Sequence, residues 1–264
     1  MQAYITSIGL LGPGLPDWLR SRPVLAGEQP YTFEEVPKYA PDILPPTERR
    51  RCGAAAKLAI YVADATMKAS AHEPNAVASV FATSGGDTDI SQKICLALTE
   101  AERFVSPTLF HNSVHNAAAG YWCIAAGSHH SSNSLSGHDW SVVAGLQAAM
   151  SQVCVDGLPV LLVCYDLPAA EPLFTKRPVL SHFGAALLLE AHADSNTLAT
   201  LTLAPGGDTP ESTMADAGLE RLRRQNPAAR LLPVLHSLAS GQAQEVVLAA
   251  PLHKAVTVGI TPCQ

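Results

Sequence analysis

Charge is what this sequence has least of. Only 15% of its 264 residues are Asp, Glu, Lys or Arg, against roughly 25% in an average soluble domain. Aromatic residues contribute 6% and hydrophobic residues 47%, so Ala, Val and Leu fill the gap. Low charge with high aliphatic content excludes a disordered chain. A basic excess is also missing, since the formal net charge is −6. Without a basic patch or stripe no nucleic-acid partner is expected. The one basic cluster, Arg49, Arg50 and Arg51, is short and reads as the solvated start of a helix.

Long hydrophobic runs are absent too. No stretch reaches the about 18 apolar residues of a membrane span, and the richest segment, 142–155, is broken by Gln147, Ser151 and Gln152. The N-terminus has no basic region followed by an apolar one, so no signal peptide is expected. The six cysteines, Cys52, Cys95, Cys123, Cys154, Cys164 and Cys263, form no C-x-x-C pair, which argues against a zinc or dithiol motif. Several lie in apolar periodic segments, where a reduced Cys acts as a small hydrophobe. They read as free, mostly buried thiols of a cytoplasmic protein. Residues 83–87 lack the Lys and spacing of a Walker loop, and His111 and His115 lack the H-E-x-x-H frame. No metal and no cofactor is expected.

What is present is alternation of strands and helices. Residues 3–9 read as a strand ending at Gly12-Pro13-Gly14, with a short helix at Asp17-Trp18-Leu19 and a proline-rich surface excursion over 22–46. Thr47 and Glu48 open a helix with Ala54, Leu58, Ala59, Val62 and Ala63 on one face. Residues 77–83 read as a buried strand. Asp89 is placed as the cap of a helix whose apolar face is Ile90, Ile94, Leu96, Leu98 and Ala101. A loop and a small-residue helix to about Ala126 follow, then a polar strand over 128–134 and an Ala/Val-rich helix from about Trp140 to Val155. Residues 159–165 read as a central strand, and 183–190 with 198–203 as a hairpin. The tail carries one helix, 217–224, and two short strands, 246–249 and 256–260. Continuous apolar strands alternating with helices indicate an α/β sheet covered on both faces.

Several of these pieces, in this order, resemble the N-terminal half of a β-ketoacyl synthase, over about residues 3–204. They are the opening strand with its Gly-Pro turn, the strand ending in Thr83-Ser84-Gly85-Gly86, Ser106-Pro107 followed by Phe110, and Asn116-Ala117-Ala118-Ala119-Gly120. The polar strand with its Ala-rich helix, residues 160–165 and the strand 184–190 complete the series. The resemblance implies a thiolase-like layered α/β/α fold with the second half largely truncated. Residues 1–204 form the ketosynthase-like domain and 205–264 a degenerate C-terminal remnant packed on it.

The departures are informative. In a condensing enzyme of this family a Cys sits at the turn between the polar strand and the long helix; here the resemblance puts Ser134 on that position and Gly137 on the family glycine. The two histidine motifs of the family's second half are missing. Decarboxylative condensation needs a thiolate to hold the acyl chain and two imidazoles at the malonyl carbonyl, so autonomous ketosynthase activity is not expected. Two readings of Ser134 stay open. It is an acyl-accepting nucleophile at a helix N-terminus, with His111, His182, His138 or His115 as base, in a thioester hydrolase or acyltransferase. Alternatively it is a relic that fills the volume of the Cys and caps the helix.

A half-length relative with a substituted nucleophile resembles the chain-length-factor type of subunit, known from aryl polyene and type II polyketide systems. That resemblance implies a full-length ketosynthase as heterodimer partner and an acyl carrier protein as the donor of chains. It assigns Leu109, Phe110, Val114, Asn116, Ser131 and Asn133 to the substrate tunnel or the subunit interface.

Overall fold

The computed structural model describes residues 1–263. Strand β1 (Gln2–Leu11) leads through the Gly12–Gly14 turn into helix α1 (Trp18–Leu25), capped by Asp17. After a long irregular strap come α2 (Pro46–Arg51) and α3 (Ala54–Lys68). The expected single helix is therefore broken at Cys52-Gly53. A Cβ on Gly53 would stand 2.7 Å from Asp87 Oδ2, and the backbone N–H of Ala55 donates to that same oxygen at 3.2 Å. Arg49, Arg50 and Arg51 close α2 instead of opening a helix, and cations are favoured at a helix C-terminus.

Strand β2 (Ala78–Ala82) is wholly buried. Helix α4 (Thr88–Thr99) is capped by Asp87, not by Asp89: the other Asp87 oxygen accepts from Ile90 N at 3.2 Å. The carboxylate thus serves two helix N-termini. The apolar face expected for α4 is not buried, for among α4 residues only Ile90 is, while Leu96 and Leu98 are 55% and 51% exposed. Helices α5 (Pro107–Asn112) and α6 (Ala117–Ala126) follow, then β3 (Ser132–Leu135), α7 (Ser141–Asp156), β4 (Val160–Asp166) and the short α8 (Leu173–Lys176).

Strands β5 (Phe183–Glu190) and β6 (Ala199–Gly207) do not form the expected hairpin, because β1 lies between them and pairs antiparallel with both. Both faces of β1 are buried, with Ala3, Ile5, Ile8, Leu10 and Leu11 at 5% exposure or less, so it needs a neighbour on each edge. Helix α9 (Ala217–Gln225), helix α10 (Leu232–Ser240), β7 (Gln244–Ala249) and β8 (Ala255–Pro262) finish the chain. The sequence pattern misses α10 because almost all of it is buried and it has no polar stripe.

The eight strands form one sheet in the order β3-β2-β4-β5-β1-β6-β8-β7. Only β2 with β3 and β2 with β4 are parallel. Leu162 and Cys164 of β4 face one layer with α1, α7, α9 and α10, while Leu161, Val163 and Tyr165 face the other with α3 and α6. This is the three-layer α/β/α arrangement. The boundary drawn at residue 204 falls inside β6, and β8 pairs along the whole of that strand. Residues 205–262 continue the same sheet and share its core.

The thiols differ from expectation. Cys52 and Cys164 are buried, Cys123 is half-buried, and Cys95, Cys154 and Cys263 are exposed; all six are free. No helix among the described residues is long and apolar enough to cross a membrane.

Candidate functional site

Parallel strands present their C-terminal ends together, and in open α/β sheets sites lie there. In this chain those ends are Thr83-Ser84 after β2, residues 136–140 after β3, and Asp166 closing β4. Asp166 is fully buried, and its Oδ1 accepts from Thr83 Oγ1 at 2.9 Å, Ser84 N at 2.8 Å and Ser84 Oγ at 2.7 Å. Oδ2 has no partner. Burial pushes the Asp166 carboxyl up to about 6, against the opposing pull of these three hydrogen bonds and of Arg177.

Arg177 links this carboxylate to the turn beyond β3. One of its amines donates to Ser84 Oγ at 3.2 Å and another to Asp139 Oδ1 at 2.6 Å. Arg230 reaches the second Asp139 oxygen at 3.6 Å and Glu211 at 4.0 Å, and Glu211 pairs with the buried Arg223 at 3.0 Å. Burial raises the Asp139 pKa, but the hydrogen bond and charge of Arg177 outweigh it and hold the carboxyl below the usual range. An alternating ionic chain therefore runs from the end of β2 to α9, and ties Glu211, Arg223 and Arg230 of the C-terminal segment to the turn.

The turn itself is closed from inside. Ser141 Oγ accepts from Gly137 N at 3.0 Å and donates to His138 O at 2.7 Å, and Ser136 Oγ donates to Ser84 O at 3.3 Å. His138 sits at φ 55°, in the left-handed region, with its ring exposed. Ser136 and His138 are what this turn offers to solvent. No thiol stands in it. The nearest sheet cysteine, Cys164, lies inside β4, where burial pushes its pKa far up; Cys52 is pushed up to about 12. Nucleophilic thiols need the opposite shift.

The structure does not bring Ser134, His111 and His182 together. Ser134 is in the middle of β3, opposite Phe81, and not at a helix N-terminus. Its Oγ is buried with no hydrogen-bond partner. The physical reason is that β3 runs to Leu135 and α7 begins only at Ser141, so the strand-to-helix turn lies beyond Ser134. His182 precedes β5, three strands away from β3, or about 14 Å at ordinary strand spacing. It shares a 3.0 Å hydrogen bond with the Tyr39 hydroxyl, and burial lowers its pKa. His111 lies in the last turn of α5 and stands edge-on to Tyr121 at 6.0 Å.

The other six candidates fall on α5, the α5–α6 link and the β3 segment. Phe110 and Val114 are 67% and 49% exposed, Asn116, Ser131 and Asn133 are exposed, and Leu109 is half-buried. Helix α6 packs on β3, and α4 packs on α5. Leu96, Leu98, Phe104 and Ile124 are exposed on the same elements and the segment joining them. Beside them β3 is the free edge of the sheet.

Sequence reasoning missed the Asp166 network. The available signal was a carboxylate closing an otherwise apolar strand, followed within twelve residues by Arg177. One consequence is measurable. The folded-state pKa of Asp166 is raised, so its stabilising contribution is complete below the unfolded value near 3.8 and is lost as pH rises through about 6. Asp166→Asn should remove this dependence. Urea midpoints of wild type relative to the variant are expected to fall between pH 4.5 and 7, by the equivalent of about 2–3 kcal/mol. A constant difference across that window would contradict the assignment.

The topology and the turn define a class: a thiolase-like α/β/α protein whose strand-to-helix turn carries no cysteine. The chain belongs to the β-ketoacyl synthase family, whose N-terminal domain model matches residues 26–253. Among solved structures it is similar to the ketosynthase in complex with its chain length factor from Xenorhabdus doucetiae (TM-score 0.75, 21% identity, 98% of this chain and 99% of that one). It is similar also to the ishigamide ketosynthase/chain length factor (TM-score 0.73, 13% identity, 100% of both chains). Of the ketosynthase from module 6 of the bacillaene synthase of Bacillus subtilis 168 it spans 45%, with 86% of this chain covered, TM-score 0.55 and 10% identity. At these identities the likeness is one of fold. No curated protein matches.

Proposed function

We propose that this chain is a non-condensing, chain-length-factor-type subunit that pairs with a full-length β-ketoacyl synthase. The setting we infer is cytoplasmic aryl-polyene, polyketide or fatty-acid-like synthesis, with chains delivered by an acyl carrier protein. The observation that carries this reading is the turn after β3, which joins a parallel strand to a long helix and has no cysteine in residues 136–140. Without a thiolate the acyl chain has no covalent anchor, and condensation must occur on another subunit. The exposed apolar side chains on α4, α5 and α6, beside the free edge of β3, support a subunit interface there. Similarity over the full chain to one member of solved ketosynthase/chain-length-factor pairs supports the same role.

In this reading Ser134 is a relic that fills strand volume. Co-expression of the chain with a full-length ketosynthase should yield a stable complex, and the Ser134→Ala complex should form product at an unchanged rate. Because the Ser134 hydroxyl is buried without a partner, its removal should leave stability equal or raise it by about 1 kcal/mol. Loss of product from an intact Ser134→Ala complex, or an acyl adduct on Ser134 in intact-mass spectra, would instead establish a serine acyltransferase or hydrolase.

A further inference from the structure

A cleft of about 390 Å³ opens where the strap after α1 crosses α9. Its apolar wall is Tyr31, Phe33, Leu180 and Leu222, and its polar rim is Arg221 and Gln225. Two glycines let the strap form this wall. A Cβ on Gly218 would stand 2.5 Å from the Tyr31 ring, and one on Gly14 would stand 2.1 Å from Thr32 O. The Tyr31 hydroxyl is spent on Pro13 O at 2.9 Å, so the ring offers the cleft its apolar face. Phe33 is 62% and Leu180 42% exposed. The volume lies within the range of small-ligand pockets.

Arg221 is the only cation lining the cleft. Among the described residues it makes no ion pair, and its one side-chain hydrogen bond is to Gln225 Oε1 at 3.2 Å. Its neighbour Arg223 is saturated by Glu211 and Glu220, and Asp216 accepts the capping bonds of Gly218 N and Leu219 N through Oδ1. The terminal amines of Arg221 are therefore free beside an apolar wall. A guanidinium binds a carboxylate through two parallel N–H donors, and a single positive charge matches a monoanion better than a phosphate dianion.

We propose that this cleft binds a single-chain amphiphilic carboxylate, with its head on Arg221 and its tail across Tyr31, Phe33 and Leu180. Saturation-transfer NMR and titration calorimetry of the full chain with sodium octanoate test it. Octanoate should bind saturably at about 1 mM or tighter. Arg221→Gln should weaken octanoate about tenfold while leaving 1-octanol binding unchanged, and Phe33→Ser, at an exposed position, should weaken both ligands. No saturable binding up to about 10 mM, ten times that bound, overturns the proposal. So does equal octanoate affinity in wild type and Arg221→Gln.

Discussion

Phe110→Asp is expected to abolish pairing with the ketosynthase. The ring is 67% exposed on α5, and Leu96, Leu98, Phe104, Val114 and Ile124 are exposed on α4, α6 and the segments beside α5. A carboxylate buried at the centre of an interface loses its hydration, and an apolar partner surface returns nothing for it. The loss in affinity should be about a hundredfold or more. On size-exclusion chromatography at micromolar concentration the variant should elute apart from the partner. Fold stability should change by less than about 0.5 kcal/mol, because the position is open in the isolated chain. Leu19→Asp is the matched control: Leu19 is 79% exposed on α1, which belongs to the layer on the other side of the sheet, and this variant should pair normally. If Phe110→Asp still co-elutes with the ketosynthase, the α4–α6 face is not the interface.

Gly9→Val is expected to destabilise the chain by about 3 kcal/mol or more, the upper end of overpacking costs. Helix α3 lies flush on β1 at this point. A Cβ on Gly9 would stand 2.3 Å from Val62 O and 2.4 Å from Thr66 Oγ1, which is itself hydrogen-bonded to Val62 O at 2.8 Å. Neither atom can retreat without lifting α3, whose other contacts include Leu188 and Ala186 of β5. Gly120→Ala supplies the contrast. Nothing stands within 4 Å of a Cβ there, and the site is interior to α6, so about 0.5–1 kcal/mol of stabilisation is expected. Urea midpoints of the two variants should move in opposite directions. Movement in the same direction would show that α3 does not constrain β1 as the geometry requires.

Much of the fold was legible one residue at a time. Residues 159–165 announced a central strand because every position is apolar, and the structure buries β4 on both faces. The small residues of 117–126 announced a helix built for close approach. The failures have specific causes. Gly53 split an expected helix because Asp87, more than thirty residues away in sequence, occupies the space and accepts from the N-termini of α3 and α4. The β5–β6 hairpin was wrong because local sequence carries no record of β1, the strand that inserts between them. The α4 face read as core because periodicity reports an apolar stripe and not what covers it.

The same division holds at the site. The absence of a cysteine between the polar strand and the Ala-rich helix could be read directly from residues 128–140. The position of the turn could not. It depends on where β3 stops pairing with β2, and that register places Ser134 inside the sheet and Ser136 and His138 at the surface.

By itself, then, the sequence determined the alternation of elements, the buried character of the central strands and the lack of a thiol at the turn. These follow from periodicity and residue identity, which are local. Only the tertiary structure decided that Asp166 is buried with one unpartnered oxygen, and that Arg177, Asp139, Arg230 and Glu211 join in one ionic chain. It alone left the apolar face of α4–α6 uncovered beside the free edge of β3. Those features depend on which distant segments meet, and hydrophobic burial over the whole chain selects that pairing where no short stretch of residues encodes it.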